Sequence, residues 1–115
     1  MRRGAVVRVE LPRPAGASGH EQVGIRPAIV VQDEHSAPNL STVVIVPLTS
    51  KLHAVGFAGS FVISPTSSNG LSVKSVVLTH QLRAIDKHRI LDVIGNVATE
   101  DMATLERNLR NLLHL

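Results

Sequence analysis

Residues 42–48 read TVVIVPL, the run of the chain with the highest β-propensity, and they lead directly into Thr49 and Ser50. On both sides of this run, apolar β-branched stretches recur between glycine, proline and polar residues. We predict further strands at residues 5–11, 27–31, 60–63, 75–79 and 90–97, with residues 80–85 continuing the strand at 75–79. Residues 86–89 are predicted to form one helical turn with Asp86 at its N-cap.

The C-terminus changes to helical periodicity. Its apolar residues follow one another at spacings of 3, 4, 3 and 1, on one face of an α-helix: Met102, Leu105, Leu109, Leu112 and Leu113. Thr99 is a suitable N-cap, and the acidic residues after it favour the positive end of the helix dipole. Short strands closed by one helix predict a mostly β fold, a small antiparallel barrel with a C-terminal helix, as one domain over residues 1–115. The leucine face is predicted to pack in the core or in a dimer.

Composition narrows the class of protein. The chain has 115 residues, of which 43% are hydrophobic, enough for one core and too many for intrinsic disorder. It has no cysteine, which excludes disulfides and thiolate zinc sites. The net charge of +3 equals the excess of five arginines over two glutamates in residues 1–32, a mild indication of an anionic partner. No signal-peptide core or membrane-spanning run is seen, so we expect a cytoplasmic protein with no membrane partner.

Residues 19–31 read GHEQVGIRPAIVV and pass from a polar loop into a β-branched strand. Pro27 favours an extended backbone at Arg26, which places a permanent cation where the loop meets the strand. In the loop, His20 and Glu21 can exchange protons, and Gln22 can donate or accept a hydrogen bond. The stretch is compatible with a flexible hairpin loop carrying a surface arginine, and also with a site for an anionic ligand.

Polar side chains at strand ends are the other candidates. The hydroxyls of Thr49 and Ser50 could bind a phosphate oxygen or an attacking 2′-OH, or could end the strand through turn chemistry. His80 could act as a base or acid near neutral pH, or could bond to the backbone. Arg83 could contact a phosphate or pair with Asp86. No two histidines have the i, i+4 spacing of a helical metal site, so we assign no metal and no cofactor.

Several motifs occur in the order and spacing of a known family. They are Met-Arg-Arg-Gly at the start, Gly-His-Glu-Gln-x-Gly-x-Arg-Pro-Ala at 19–28, Val-Pro-Leu-Thr-Ser at 46–50, Gln-x-Arg-x-Ile-Asp at 81–86, and Ile-Gly at 94–95 before a helix. Together they resemble the MazF/PemK toxins of bacterial type II toxin–antitoxin systems. The similarity extends over nearly the whole chain.

The resemblance implies a CcdB/PemK-like, SH3-like barrel that forms a homodimer. It also implies a sequence-specific endoribonuclease that cuts single-stranded RNA, mainly mRNA, without a metal. The implied chemistry is attack of a ribose 2′-OH on the adjacent phosphate, which leaves a 2′,3′-cyclic phosphate and a 5′-OH end. The implied partner is a cognate antitoxin, whose acidic and partly disordered segment lies over the basic groove of the dimer.

The resemblance also assigns roles to residues. Arg26 matches the catalytic arginine and Thr49 the catalytic threonine, while His20 and Glu21 match a polar pair that supports catalysis or RNA contact. We expect Arg26 to neutralise the phosphorane and Thr49 to orient the 2′-OH or the phosphate. Proton removal stays open between Glu21, His20 and His80. The predicted RNA contacts are Gln22, Ser50, Lys51, Phe57, Gln81 and Arg83.

Two positions depart from the family pattern. His80 stands where many members have an aspartate; a neutral imidazole could still serve as the base, or the missing anion could change which RNA is recognised. Leu78 stands where some relatives have a second catalytic arginine. The alternative function is a non-catalytic binding module on the same barrel, which poisons a protein target such as gyrase or binds only RNA or antitoxin.

Overall fold

A computed structural model describes residues 1–12, 24–33, 35 and 38–115 of the chain. In this part of the chain, strands precede a single C-terminal α-helix. The elements are β1 (Ala5–Leu11), β2 (Gly24–Val30), β3 (Thr42–Thr49), β4 (Phe61–Ile63), β5 (Ser75–Val77), β6 (Arg83–Asp86), β7 (Ile90–Asn96) and α1 (Thr99–Leu113). The mostly β fold with a C-terminal helix is therefore confirmed.

The most β-prone run, β3, is the strand on which the sheet is built. The strand order is β4-β5-β3-β2-β1-β7, and β6 also pairs with β3. Every pairing is antiparallel. The first half of β3 pairs with β6, its middle with β2, and its last two residues, Leu48 and Thr49, with β5. β3 thus joins the part of the sheet formed by β1, β2, β6 and β7 to the part formed by β4 and β5. In the described residues this curled sheet does not close between β4 and β7.

Both faces of this sheet are buried around its central strands. Val6 of β1 lies opposite Ile29 of β2, and both pack in a cluster with Leu48 and with Leu105 of α1. The next pair, Val7 and Ala28, packs in a second cluster on the other face. Because successive strand residues face opposite sides, burial on both faces explains why β1 and β2 are apolar at consecutive positions.

Residues 80–85 do not continue β5, contrary to the prediction. A 3-10 turn, Thr79–Gln81, follows β5, and β6 then pairs with the first half of β3. The backbone N–H of Leu78 donates to the carbonyl of Pro47, and the hydroxyl of Thr79 donates to the carbonyl of Gly59 at 2.7 Å. These long-range bonds turn the chain, and the local alternation at 80–85 contains no sign of them.

Two predicted helix caps have different outcomes. Asp86 caps the 3-10 turn Lys87–Arg89, where its carboxylate accepts the backbone N–H of His88 at 2.8 Å, as predicted. Thr99 is not the N-cap of α1, because Ala98 occupies that position without a side-chain bond and Thr99 is the first helical residue. The carbonyl of Ala98 already accepts the N–H of Met102, so the helix begins one residue earlier than predicted.

The apolar face of α1 is only partly in the core. Met102 and Leu105 are buried, Leu109 is half-buried, and Leu112 and Leu113 are exposed. The first two turns therefore fix the helix to the sheet. No helix in the described part of the chain is long and apolar enough to cross a membrane.

Candidate active site

A cavity of about 300 Å³ opens where β2 begins and β3 ends, and its third wall is the segment at residues 70–75. Two arginines, Arg8 and Arg26, line it together with the hydroxyl-bearing residues Thr49 and Ser50. The rest of the lining is serine, glycine and apolar: Ile25, Pro27, Leu48, Gly70, Leu71, Ser72, Val73, Ser75 and Ile94. Cations and hydroxyl groups in one cleft are suited to binding an anion.

Strand register explains how Arg26 and Thr49 come together. Ala28 of β2 pairs with Pro47 of β3, and the ladder runs from there to Val30 and Ile45. In an antiparallel pair, two residues back along one strand correspond to two residues onward along the other. The register continued beyond its last hydrogen bond thus aligns Arg26 with Thr49, which are 23 positions apart in the sequence.

Thr49 is held rigidly. It is only 2% exposed, at the end of β3, and its Oγ1 accepts the backbone N–H of Lys51 at 3.2 Å. A hydroxyl group that accepts one bond still has a proton to donate. Thr49 can therefore present a donor to a phosphate oxygen, or accept the proton of a ribose hydroxyl.

A buried asparagine builds the third wall. The Asn69 side chain accepts the backbone N–H groups of Thr66 and Leu71 and donates to the carbonyl of Ser64, each at 3.0 Å. Gly70 follows with φ of +70°, a conformation that side-chain-bearing residues rarely adopt. The sequence predicted only a turn-rich segment here, so Gly70 and its neighbouring serines were missed as cavity residues.

Arg8 was also missed as a site residue. Arg8 and Glu10 are the two exposed polar positions of an otherwise buried β1, a pattern that does not tell a surface arginine from a cavity arginine. The guanidinium of Arg8 forms hydrogen bonds with both carboxylate oxygens of Asp92, each at 2.8 Å. These bonds raise the pKa of Arg8 and lower the pKa of Asp92 from their ordinary values, so both groups are charged at neutral pH.

Residues 2–113 match the family model of the PemK-like, MazF-like toxins of type II toxin–antitoxin systems. The chain belongs to this family. Its relatives include Endoribonuclease MazF9 of Mycobacterium tuberculosis, 31% identical over 100% of this chain and 96% of the relative. Endoribonuclease EndoA of Bacillus subtilis is 29% identical over 84% of this chain and 83% of the relative.

Solved structures agree with this assignment to the PemK/MazF family. The crystal structure of MazF from Deinococcus radiodurans is 25% identical, with a TM-score of 0.78 over 100% of this chain and 97% of that one. A MazE–MazF crystal structure from the same organism is 26% identical, with a TM-score of 0.73 over 100% and 96% of the two chains. The predicted CcdB/PemK-like barrel is thus confirmed, with its sheet open in the described residues.

Other residues that the PemK/MazF resemblance selected lie outside the cavity. His80 is half-buried, and its ring lies against Phe57 with the ring centroids 4.8 Å apart. Its Nδ1 is buried and has no hydrogen-bond partner within the described residues. Burial lowers the pKa of His80 from its ordinary value of 6.5, so the imidazole is neutral at pH 7.

The remaining predicted RNA contacts are spread along the chain. Lys51 is exposed next to Ser50, and Gln81 follows His80 in the 3-10 turn. Arg83 belongs to β6 and lies opposite Ile45 of β3. None of these three lines the cavity of Arg26.

Three further candidates are not placed by the structure. His20, Glu21 and Gln22 fall outside the described residues, so their roles stay predictions. Within residues 1–12, 24–33, 35 and 38–115, no group of three histidine, aspartate or glutamate side chains could hold a metal ion.

Proposed function

We propose that the protein is a sequence-specific endoribonuclease toxin that cleaves single-stranded RNA at the cavity of Arg26 and Thr49. The observation that carries the proposal is that these two residues line one cavity in a chain of the PemK/MazF family. The names of its relatives support the same activity, since MazF9 and EndoA are both called endoribonucleases.

The proposed reaction is an in-line displacement at phosphorus. The 2′-oxygen of a ribose forms a bond to the adjacent phosphorus, and the bond from phosphorus to the 5′-oxygen of the next nucleotide breaks. The products are a 2′,3′-cyclic phosphate and a 5′-OH end. Negative charge accumulates on the non-bridging oxygens in the transition state, and Arg26 is placed to neutralise it with parallel N–H donors.

Thr49 has a positioning role in this proposal. Its buried hydroxyl, anchored by the N–H of Lys51, directs the remaining proton or lone pair toward the substrate. Holding the 2′-OH in line with the leaving oxygen removes much of the entropic cost of attack. Ser50, exposed at the mouth of the cavity, contacts the RNA backbone beside it.

Two proton transfers complete the proposed reaction. The 2′-OH must lose its proton to a base, and the leaving 5′-oxygen must gain one. Glu21, His20 and His80 are the proposed proton carriers. His80 is neutral at pH 7 and could accept a proton, but it does not line the cavity, while Glu21 and His20 lie outside the described residues.

We propose that the reaction needs no metal ion. The nucleophile is part of the substrate, so no bound water has to be activated, and Arg26 provides positive charge at the phosphate.

We also propose a homodimer that is inhibited by a cognate antitoxin and acts in the cytoplasm, where mRNA is found. The MazE–MazF structure from Deinococcus radiodurans supports a toxin–antitoxin complex. Leu112 and Leu113, exposed at the end of α1, are available for contacts between subunits. An acidic antitoxin segment would complement the net charge of +3.

Expression in cells tests the function. The wild-type protein is expected to arrest growth with fragmented mRNA, and Arg26→Ala is expected to lose both effects. Arg3→Ala is the matched control, since Arg3 pairs with Glu106 at another surface. Growth arrest by the wild type with intact RNA would support the non-catalytic binding module instead.

A further inference from the structure

Arg8 is a second cation in the cavity that the family motifs did not indicate. It lies in the middle of β1, opposite Pro27 of β2 on one side and Asp92 of β7 on the other. Arg26 belongs to the next pair of the β1–β2 ladder, opposite Val9. Both arginines line the cavity, although adjacent residues of a strand face opposite sides of the sheet.

Asp92 fixes the orientation of Arg8. Directly opposed residues of an antiparallel pair share a face, which lets Asp92 Oδ1 and Oδ2 accept hydrogen bonds from Nε and Nη2 of Arg8. Two of the five guanidinium N–H donors are used in this way. Within the described part of the chain, the other three have no partner and are available to an anion, and the arginine side chain is 47% exposed.

We propose that Arg8 is a phosphate-binding residue, held in position by Asp92, which contacts a second phosphate of the RNA strand beside the one at Arg26. This inference rests on the proposed function, because it takes single-stranded RNA as the ligand. A planar guanidinium with three remaining donors is suited to a phosphate group. Arg8 thus contributes to substrate binding and leaves the chemical step to Arg26 and Thr49.

Salt dependence gives the test. Each phosphate contact to single-stranded nucleic acid changes the slope of log K against log salt by about 0.7. Binding is measured with a mixed-sequence 2′-O-methyl RNA oligonucleotide, which lacks the attacking hydroxyl. Arg8→Gln is expected to reduce the slope by about 0.7 and to raise KM on cleavable RNA with kcat little changed. Arg8→Lys is expected to keep the wild-type slope, since it keeps the charge.

Two controls test whether the change in slope comes from a local contact of Arg8 or from the change in net charge. Arg3→Gln makes the same chemical change in a similarly exposed arginine, 41% against 47% for Arg8, whose Nη1 lies 2.8 Å from Glu106. Arg3→Gln is expected to keep the wild-type slope of log K against log salt. The double variant Arg8→Gln with Asp92→Asn leaves the net charge unchanged and is expected to lose the same slope as Arg8→Gln alone.

The outcomes distinguish the two proposals. If wild-type protein cleaves natural RNA and Arg8→Gln keeps the full slope, or loses no more than Arg3→Gln, the role of Arg8 is refuted and the proposed function stands. If wild-type protein neither cleaves natural RNA nor binds the 2′-O-methyl probe, the proposed function fails and this inference fails with it. Binding of the probe without cleavage of natural RNA refutes the enzyme alone, and the slopes still decide the role of Arg8.

Discussion

Gly70 packs so closely against the backbone carbonyl of Ile94 that even a methyl side chain on Gly70 would overlap the carbonyl oxygen. Both residues line the cavity of Arg26, one from the third wall and one from β7. Gly70 also has φ of +70°. A cavity wall of the proposed active site therefore packs against β7 at a glycine that no catalytic argument would select.

We predict that Gly70→Ala strongly destabilises the protein. The left-handed backbone costs about 1–2 kcal/mol for alanine, and overpacking adds about 1–3 kcal/mol. Gly24→Ala is the matched control, because Gly24 has φ of +84° and no heavy atom of the described residues lies within 4 Å of the added Cβ. Urea unfolding measures the free energy of unfolding of both variants. Equal losses in the two variants would show that the contact with Ile94 has no energetic weight.

Thr49→Val is expected to reduce kcat on RNA by on the order of 10²-fold, because it removes the hydroxyl of a residue that lines the cavity. Thr79→Val is the comparison variant. It also deletes a buried threonine hydroxyl, one that donates to the carbonyl of Gly59 outside the cavity. Thr79→Val should lower the free energy of unfolding and keep kcat. A similar kcat in both variants would mean that the Thr49 hydroxyl has no part in the reaction.

His80 is predicted to make stability depend on pH. Because burial lowers its pKa in the folded protein, the unfolded chain binds more protons below pH 6.5. The stability is complete above pH 6.5 and declines as the pH falls from there through the folded-state pKa. Urea unfolding at about pH 7.5 and 5.5 should show a smaller decline for His80→Gln than for the wild type. Equal declines in the two proteins would contradict the prediction.

The two ends of α1 should differ in their contribution to folding. Leu105→Ala is expected to lower the free energy of unfolding by about 2–5 kcal/mol, because Leu105 is fully buried against the sheet. Leu112→Ala, the same change in the same helix, is expected to stay within about 0.5 kcal/mol in the monomer. A large loss at Leu112 that is seen at high protein concentration and disappears as the protein is diluted would place this residue in a dimer interface.

Much of the fold is readable from the sequence because its determinants are local. The strand at 5–11 and the helical period near Leu105 follow from side-chain pattern alone, and both are observed. The turn at Thr79–Gln81 is not readable, since long-range bonds to Pro47 and Gly59 accompany the local bonds that close it.

The candidate site divides in the same way. Arg26 and Thr49 lie at junctions between strand and loop, where polar residues can be recognised as site candidates from the sequence. The structure brings them to one cavity. Arg8 and Gly70 enter that cavity through register and close packing, which a single sequence does not show. The structure leaves His80 outside the cavity, although its local sequence resembles the family motif.

The most direct test is to incubate purified protein with a long mixed-sequence RNA in EDTA, alongside Arg26→Ala and Arg3→Ala. We predict discrete cuts that leave 2′,3′-cyclic phosphate and 5′-OH ends, made by the wild type and Arg3→Ala and reduced by 10²–10³-fold or more in Arg26→Ala. Cleavage that disappears in EDTA, or that persists in Arg26→Ala, would contradict the proposed mechanism.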